Sequence, residues 1–390
     1  MAFDVYWRIP MAGDRSSWRN APKTRGDFTP TVPGSIDPGL RDGEPDGLSY
    51  LEYMIDVARA AEAAGFYGGL LPSFPQTDDP WIAAAAAARA TTTFRFMVAF
   101  QPGFLHPVHA ARMSASFQRL SEDRLVYNII TGGGGPEQLW WGDTTEHDQR
   151  YVRTREFLDV LKGVWDGGPF DYDGRFYQVR DGGLPGPLAG QPKPDLYFSG
   201  SSDAGIDAAS EHADYYLSWL EHPDDLKAKF ERVRERTSAL GRQARFAVRA
   251  HVVARPTEEE AWEEIRLGWD NVPPEVLEKG VFGVSDSVGA QRQAAYQNER
   301  KRYQDLIIAP NIWAGVAYLG DMPTVGIVGS YEQVAERLDD LVAIGTDALL
   351  LSGLPHLEEA YRVGEEVLPL FGGVARTERD LEVVREPVAI

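Results

Sequence analysis

Three short stretches carry residue types able to do chemistry. Arg249–Ala250–His251 places a guanidinium and a titratable imidazole two residues apart, so in a strand both point to one face. Turned into a pocket, they stabilise an oxyanion and relay a proton. Turned away, the arginine pairs with a carboxylate and the histidine is a core residue. Thr131 leads into the glycine run 132–135, and His147, Asp148, Arg150 and Tyr151 follow at a helix start. The glycines let a flat ligand or a phosphate approach the backbone, although the lysine and hydroxyl of a nucleotide P-loop are missing. Ser199–Gly200–Ser201–Ser202–Asp203 joins a strand end to a helix start. There, free N–H groups and hydroxyls hold a phosphate or simply cap the helix.

Other chemistries are disfavoured. His106 and His109 lie three apart without a suitably spaced third ligand, and the seven histidines form no H-E-x-x-H, so no metal site is expected. Neither the G-x-S-x-G elbow of acyl transfer nor a G-x-G-x-x-G turn after the first strand occurs. Cysteine is absent, which excludes disulfides, thiolate metal sites and a thiol nucleophile. With 39 Lys and Arg against 59 Asp and Glu, the net charge of -20 repels phosphate backbones and anionic lipid, so nucleic-acid and membrane roles are not expected. The first ten residues lack the pattern of a signal peptide and no apolar run reaches membrane-spanning length, so a cytoplasmic location is expected.

Positioning these residues needs a large α/β frame, and 390 residues, 43% hydrophobic, suffice to bury one. Short β-branched and aromatic runs at 4–9, 67–73, 94–101, 125–131, 195–200, 215–219, 246–254 and 347–352 read as eight strands. Between them, helical periodicity covers 81–90, 106–120, 148–165, 203–211, 223–240 and 256–269. Capping boxes at Ser49/Glu52 and Ser330/Gln333 open two further helices, stopped by Gly65 and Gly345. Eight strand–helix units predict a (β/α)₈ TIM barrel, with active-site residues at the C-terminal strand ends. The expectation is one barrel over 1–371, a lid insertion around 270–330, a long loop over 11–48 and a tail at 372–390. Trp7, Trp81, Trp219 and Trp313 fall near strand ends or loops, where an indole either fills core or walls a dry pocket.

Several segments taken together resemble a known family. They are PVHAAR at 107–112, RLS at 119–121, YNIITG at 127–132, HDQRY at 147–151, YFSGSS at 197–202, RAH at 249–251, PNIWAG at 310–315 and SGLPHLEEAYR at 352–362. In that order they are similar to the bacterial-luciferase-like flavin monooxygenases, and within them to the FMNH2-dependent alkanesulfonate monooxygenases. The resemblance implies a (β/α)₈ barrel with insertions that uses O2 through a peroxyflavin. It implies reduced FMN from a separate NAD(P)H flavin reductase, a small organic substrate, and a homodimer or homotetramer. Matched position by position, Asn128, Thr131, His147, Tyr151, Ser201 and Ser202 would bind FMN, with Tyr151 and the serines at the phosphate. His251, Arg249 and Trp219 match residues beside the reacting flavin and sulfonate. Three positions depart from the pattern: Thr77 stands for a cysteine, Gly320 for a mobile-loop arginine and Leu354 for a tyrosine. Arg8, where those enzymes carry an aromatic, is a candidate replacement cation. The reaction expected is oxygenative C–S cleavage of an alkane- or sugar-type sulfonate to sulfite and an aldehyde. The alternatives are a non-sulfonate substrate (heterocycle, ketone or flavin) and a non-catalytic flavin-binding barrel.

Overall fold

A computed structural model describes residues 3–11, 14, 50–75, 77–132, 135–279, 285–297, 302–320 and 325–373. Eight parallel strands close a ring: β1 (Asp4–Arg8), β2 (Gly68–Leu71), β3 (Arg95–Phe100), β4 (Leu125–Ile129), β5 (Leu196–Phe198), β6 (Tyr215–Trp219), β7 (Arg245–Arg255) and β8 (Ala348–Ser352). Each strand pairs with the next, and β8 returns to β1 with Val5 opposite Leu349. The fold is the TIM barrel expected from the unit count, and the eight strands are those read from the sequence.

Helices pack outside the ring: α1 (Tyr50–Ala63), α2 (Pro80–Ala87), α3 (Pro107–Ser121), α4 (His147–Trp165), α5 (Asp203–His212), α6 (Pro223–Ala239) and α7 (Glu258–Asp270). Local chemistry explains their ends. The Asp79 carboxylate accepts the Trp81 and Ile82 amides at 2.9 and 3.2 Å, and Pro80 takes the first-turn position whose missing N–H costs nothing. The Ser330/Gln333 capping box is present. Ser49 and almost all of the 11–48 loop lie outside the described residues, as does the tail beyond Gly373. Two features escaped the sequence reading. A two-stranded hairpin, Phe170–Asp173 with Gln178–Gly182, follows α4, and a further strand, Gly326–Ser330, lies parallel to the second half of β7. Among the described residues no helix is long and apolar enough to cross a membrane.

Strand alternation sorts the side chains into two cores. Tyr6, Leu70, Met97, Ala99, Val126, Tyr197, Leu217, Ala247 and Leu350 fill the barrel interior, whereas Val5, Trp7, Ile9, Val98, Ile129, Phe198, Val248 and Leu351 face the helices. At the N-terminal end, Asp4 shares this interior with Tyr215, whose hydroxyl donates to it at 3.3 Å. Burial raises the Asp4 carboxyl to about 6 against the pull of that bond. An acid raised in the folded state stabilises most below its ordinary pKa of 3.8, and that stability is lost as pH climbs through 6. Asp4→Asn is therefore expected to change thermal stability little at pH 4 and to raise it by about 2 kcal/mol at pH 7.5. Melting curves across that range would check this, and a gain that does not vary with pH would contradict it.

Candidate active site

The same alternation decides which strand-end residues look inward. On β7 Ala247 belongs to the interior plug, so Arg249 and His251, two and four residues on, follow it toward the C-terminal mouth. Arg8 continues the interior face of Tyr6 on β1, and Asn128 that of Val126 on β4. Trp219 continues that of Leu217 on β6, in register with Arg249. The structure therefore brings Arg8, Asn128, Trp219, Arg249 and His251 to one barrel end. The other three tryptophans are core. Trp7 points to the helices and donates its indole N–H to the His356 carbonyl at 3.0 Å; Trp81 packs on Phe100 and Tyr127; Trp313 packs on Trp269. Trp7 is adjacent to Arg8, so one residue of register exchanges wall for pocket.

The cup is electrostatically unusual. Burial lowers Arg249 to about 9, with Arg8 pressing the same way. Burial also lowers Arg8 to about 10 against the opposing pull of Asp14. Both guanidiniums remain protonated at neutral pH, so two like charges share a low-dielectric end of the barrel. His251, whose Nδ1 lies 3.3 Å from Ser352 Oγ, is held well below its ordinary range by burial and then by His356 and Arg8. Its imidazole is neutral at pH 7.

A second group of residues sits at the ends of β4 and β5. Asn128 is buried and its Oδ1 accepts no hydrogen bond among the described residues, as is also true of Gln101 Oε1 at the end of β3. Thr131 is buried beside them. The space at Gly132 is filled by protein: its φ is +95°, and a Cβ there would meet the Gln138 and Gln101 amides. Gly133 and Gly134 lie outside the described residues. His147 opens α4, its Nδ1 2.7 Å from Asp148 and its ring edge-on to Tyr151. At the β5–α5 turn Ser202 caps α5 by accepting the Gly205 amide at 3.1 Å. A Cβ on Gly200 or Gly205 would come within 3.2 or 3.1 Å of the Tyr151 hydroxyl. Tyr151, Ser201 and Ser202 thus surround one bare backbone turn at a helix N-terminus, a cradle suited to a phosphate.

The insertion contributes too. In its helix α8 (Val288–Ala295) the space beside Gly289 opens toward Ser201 Oγ, 3.6 Å from an added Cβ. It is tied to the barrel by polar bonds: Arg150 to Asp286 at 2.8 Å, Gln293 to the Leu220 carbonyl at 3.0 Å, and the Tyr296 hydroxyl to the His222 amide at 3.1 Å. Arg292 reaches Glu221 at 3.1 Å, and Glu221 is itself bound to Lys229 at 2.6 Å with both side chains buried.

Of the three departures noted in the sequence, two have local reasons. The Thr77 hydroxyl is engaged with the Phe74 amide and carbonyl at 3.0 and 2.9 Å. Gly320 closes a 3₁₀ turn at φ +92°, a conformation an arginine would strain. Leu354 is buried at the end of β8.

Sequence reasoning missed the buried group formed by Asp14, Tyr53 and His356, which acts electrostatically on Arg8 and His251. Asp14 is completely buried; its carboxylate receives the His356 amide at 2.7 Å, His356 Nδ1 at 2.9 Å and the Tyr53 hydroxyl. The SGLPHLEEAYR segment pointed to His356, but nothing local singles out Asp14 within a Gly- and Pro-rich loop.

The parallel (β/α)₈ barrel with its candidate site at the C-terminal strand ends sets the class of fold, and a family match narrows it. The model of the luciferase-like monooxygenases matches residues 31–348, and the chain belongs to that family. Solved structures agree in fold. A riboflavin lyase is 20% identical, with TM-score 0.71 over 95% of this chain and 91% of that one. The EDTA monooxygenase of a Chelativorans species is 20% identical, with TM-score 0.70 over 95% and 93%. The oxygenating constituent of 3,6-diketocamphane monooxygenase from Pseudomonas putida, solved with FMN, is 17% identical, with TM-score 0.63 over 95% and 99%.

Lys229→Met is expected to cost about 3 kcal/mol, because it leaves the buried Glu221 charge without its nearer cation. Chemical denaturation would check this. A loss below about 1 kcal/mol would place that carboxylate in water instead.

Proposed function

We propose that the protein is the oxygenase component of a two-component monooxygenase that uses reduced FMN and O2 on a small anionic substrate. The observation that carries this reading is the pair of inward guanidiniums, Arg8 and Arg249, with the neutral His251 between barrel strands at the mouth. An organosulfonate, alkane- or sugar-type, suits two cations in a confined dry space. The overall change would be a sulfonate RCH2SO3⁻ with FMNH2 and O2 giving RCHO, sulfite, FMN, water and a proton.

The residues present fit FMN. The Gly200–Gly205 turn with Tyr151, Ser201 and Ser202 suits its phosphate, and the unsatisfied buried amide oxygen of Asn128 suits a ring N–H. Thr131 and His147 would flank the ring system. When bound, reduced FMN supplies two electrons and the site of O2 activation. The protein's own residues do the rest. Arg249 and Arg8 bind and orient the anion, His251 holds or passes a proton at its ring nitrogen, and Trp219 excludes water above them. A separate NAD(P)H flavin reductase would deliver the flavin in the cytoplasm, to a homodimer or homotetramer of this chain.

Thr77, Gly320 and Leu354 favour a second reading, oxygenation of a non-sulfonate such as a heterocycle, a ketone or a flavin. Incubation with FMN, NADH, a flavin reductase and a panel of sulfonates tests the first reading, and sulfite release is expected. Turnover of another panel member without sulfite would move the assignment to the second. Flavin oxidation no faster than in buffer, with no product from any panel, would leave a flavin-binding barrel.

Two variants separate the roles. His251→Ala is expected to lower product formation by about 100-fold while changing FMN affinity less than about 3-fold. Equal losses in both would place it in cofactor binding. Tyr151→Phe is expected to weaken FMN by about 1 kcal/mol, as measured by fluorescence titration, if its hydroxyl meets the phosphate.

A further inference from the structure

The buried carboxylate–imidazole pair below the mouth is used by nothing above. His356 opens α9 (His356–Arg362) just after β8 and is held at three points. Its carbonyl accepts the Trp7 indole N–H at 3.0 Å, its amide donates to Asp14 Oδ2 at 2.7 Å, and its Nδ1 meets Asp14 Oδ1 at 2.9 Å. Asp14 is wholly buried and His356 is 1% exposed. Tyr53, also wholly buried, donates its hydroxyl to the same Oδ2. Both donors on Oδ2 are fixed, so a carboxylate at Asp14 requires the proton on His356 Nδ1. Nε2 is then a lone pair, and it is buried with no hydrogen-bond partner among the described residues. A rigid imidazole with one nitrogen saturated by a carboxylate and the other bare is the arrangement of a general base.

The charges around it are those of the cup. Arg8 and Arg249 act on His356 from β1 and β7, and His251 on β7 senses it in turn. Burial lowers its proton affinity despite Asp14, which keeps it neutral at pH 7.

We propose that His356 Nε2 is the base that takes the substrate's proton in this cup, and that Asp14 is the positioning residue that fixes its tautomer. The chemical step rests on the sulfonate oxygenase reading. There, the oxygenated substrate is a carbon bearing both hydroxyl and sulfonate. Its O–H bond breaks as the proton moves to Nε2; the O–H electron pair becomes the second C=O bond; the C–S pair leaves with sulfite. The imidazolium so formed is balanced by Asp14 and returns its proton to water as product leaves. Arg8 and Arg249 stabilise the departing oxyanion.

Two measurements decide the matter. In protein labelled with ¹⁵N-histidine and free of cofactor, the His356 resonance, assigned by its loss in His356→Gln, should show a neutral ring protonated at Nδ1 at pH 7. Asp14→Asn should shift protons to Nε2. In the coupled sulfite assay, His356→Gln should lower kcat by about 100-fold with KM and FMN affinity within about 3-fold of wild type. An Nε2–H tautomer or an imidazolium in the wild-type protein overturns the proposal even if Asp14→Asn does not fold. So does His356→Gln with wild-type kcat. If no sulfonate reacts with the wild type, the sulfonate reading fails and the base assignment is decided by the tautomer together with His356→Gln turnover of whichever substrate does react.

Discussion

Everything at the mouth depends on the closed hydrogen-bonded ring of eight parallel strands. Closure fixes the inward or outward sense of every strand residue at once, because no edge strand is free to slip. On β7 the inward series passes from Ala247 in a sealed apolar plug to Arg249 and then His251 within two pleats. Holding charge in such a low-dielectric place is costly. Burial accordingly lowers the proton affinity of both Arg8 and Arg249. Two cations at one end of the barrel favour negative charge there, and Asp14 beside Arg8 supplies some of it.

The walls of the cup are of unequal strength. The barrel and its helices share a continuous apolar core, with Trp7, Phe96, Phe198 and Leu349 among its wholly buried or nearly buried members. The insertion helix α8 is instead docked by Arg150–Asp286, Arg292–Glu221, Gln293 to Leu220 and Tyr296 to His222. Polar contacts exchange with water at small net cost, whereas parting an apolar core does not. The groups that the site needs aligned, Arg8, Trp219, Arg249 and His251, are carried by the ring and not by the insertion.

How much of this was legible in the sequence follows from the range of the interactions. The strands and most helix limits are written locally, in periodicity and in caps such as Asp79, Ser202 and Ser330. Period-two spacing also put Arg249 and His251 on one face, although only the position of Ala247 in the plug shows which face that is. Trp7 is ambiguous for the same reason: it is the neighbour of Arg8, and a shift of one residue exchanges their faces. Asp14 and His356 lie 342 positions apart, and no local pattern marks an aspartate in a loop as the partner of a histidine after the last strand. Gly320 reads in sequence as a lost arginine; its left-handed backbone gives the substitution a conformational reason instead.

The two histidines of the cup gain meaning from the cations beside them. Burial first, and then Arg8 and Arg249, disfavour a proton on His251 and His356, so the cup keeps its imidazoles neutral and basic nitrogen available. An anion seated between the guanidiniums cancels part of that field. By linkage it raises the proton affinity of each imidazole, and a proton on either imidazole favours the anion in return. Under the proposed function, substrate arrival and readiness to accept a proton would be one electrostatic event. An uncharged molecule of the same shape would fill the space without changing the field, so under the proposed function discrimination for anions would be exerted at the proton-transfer step as well as in binding.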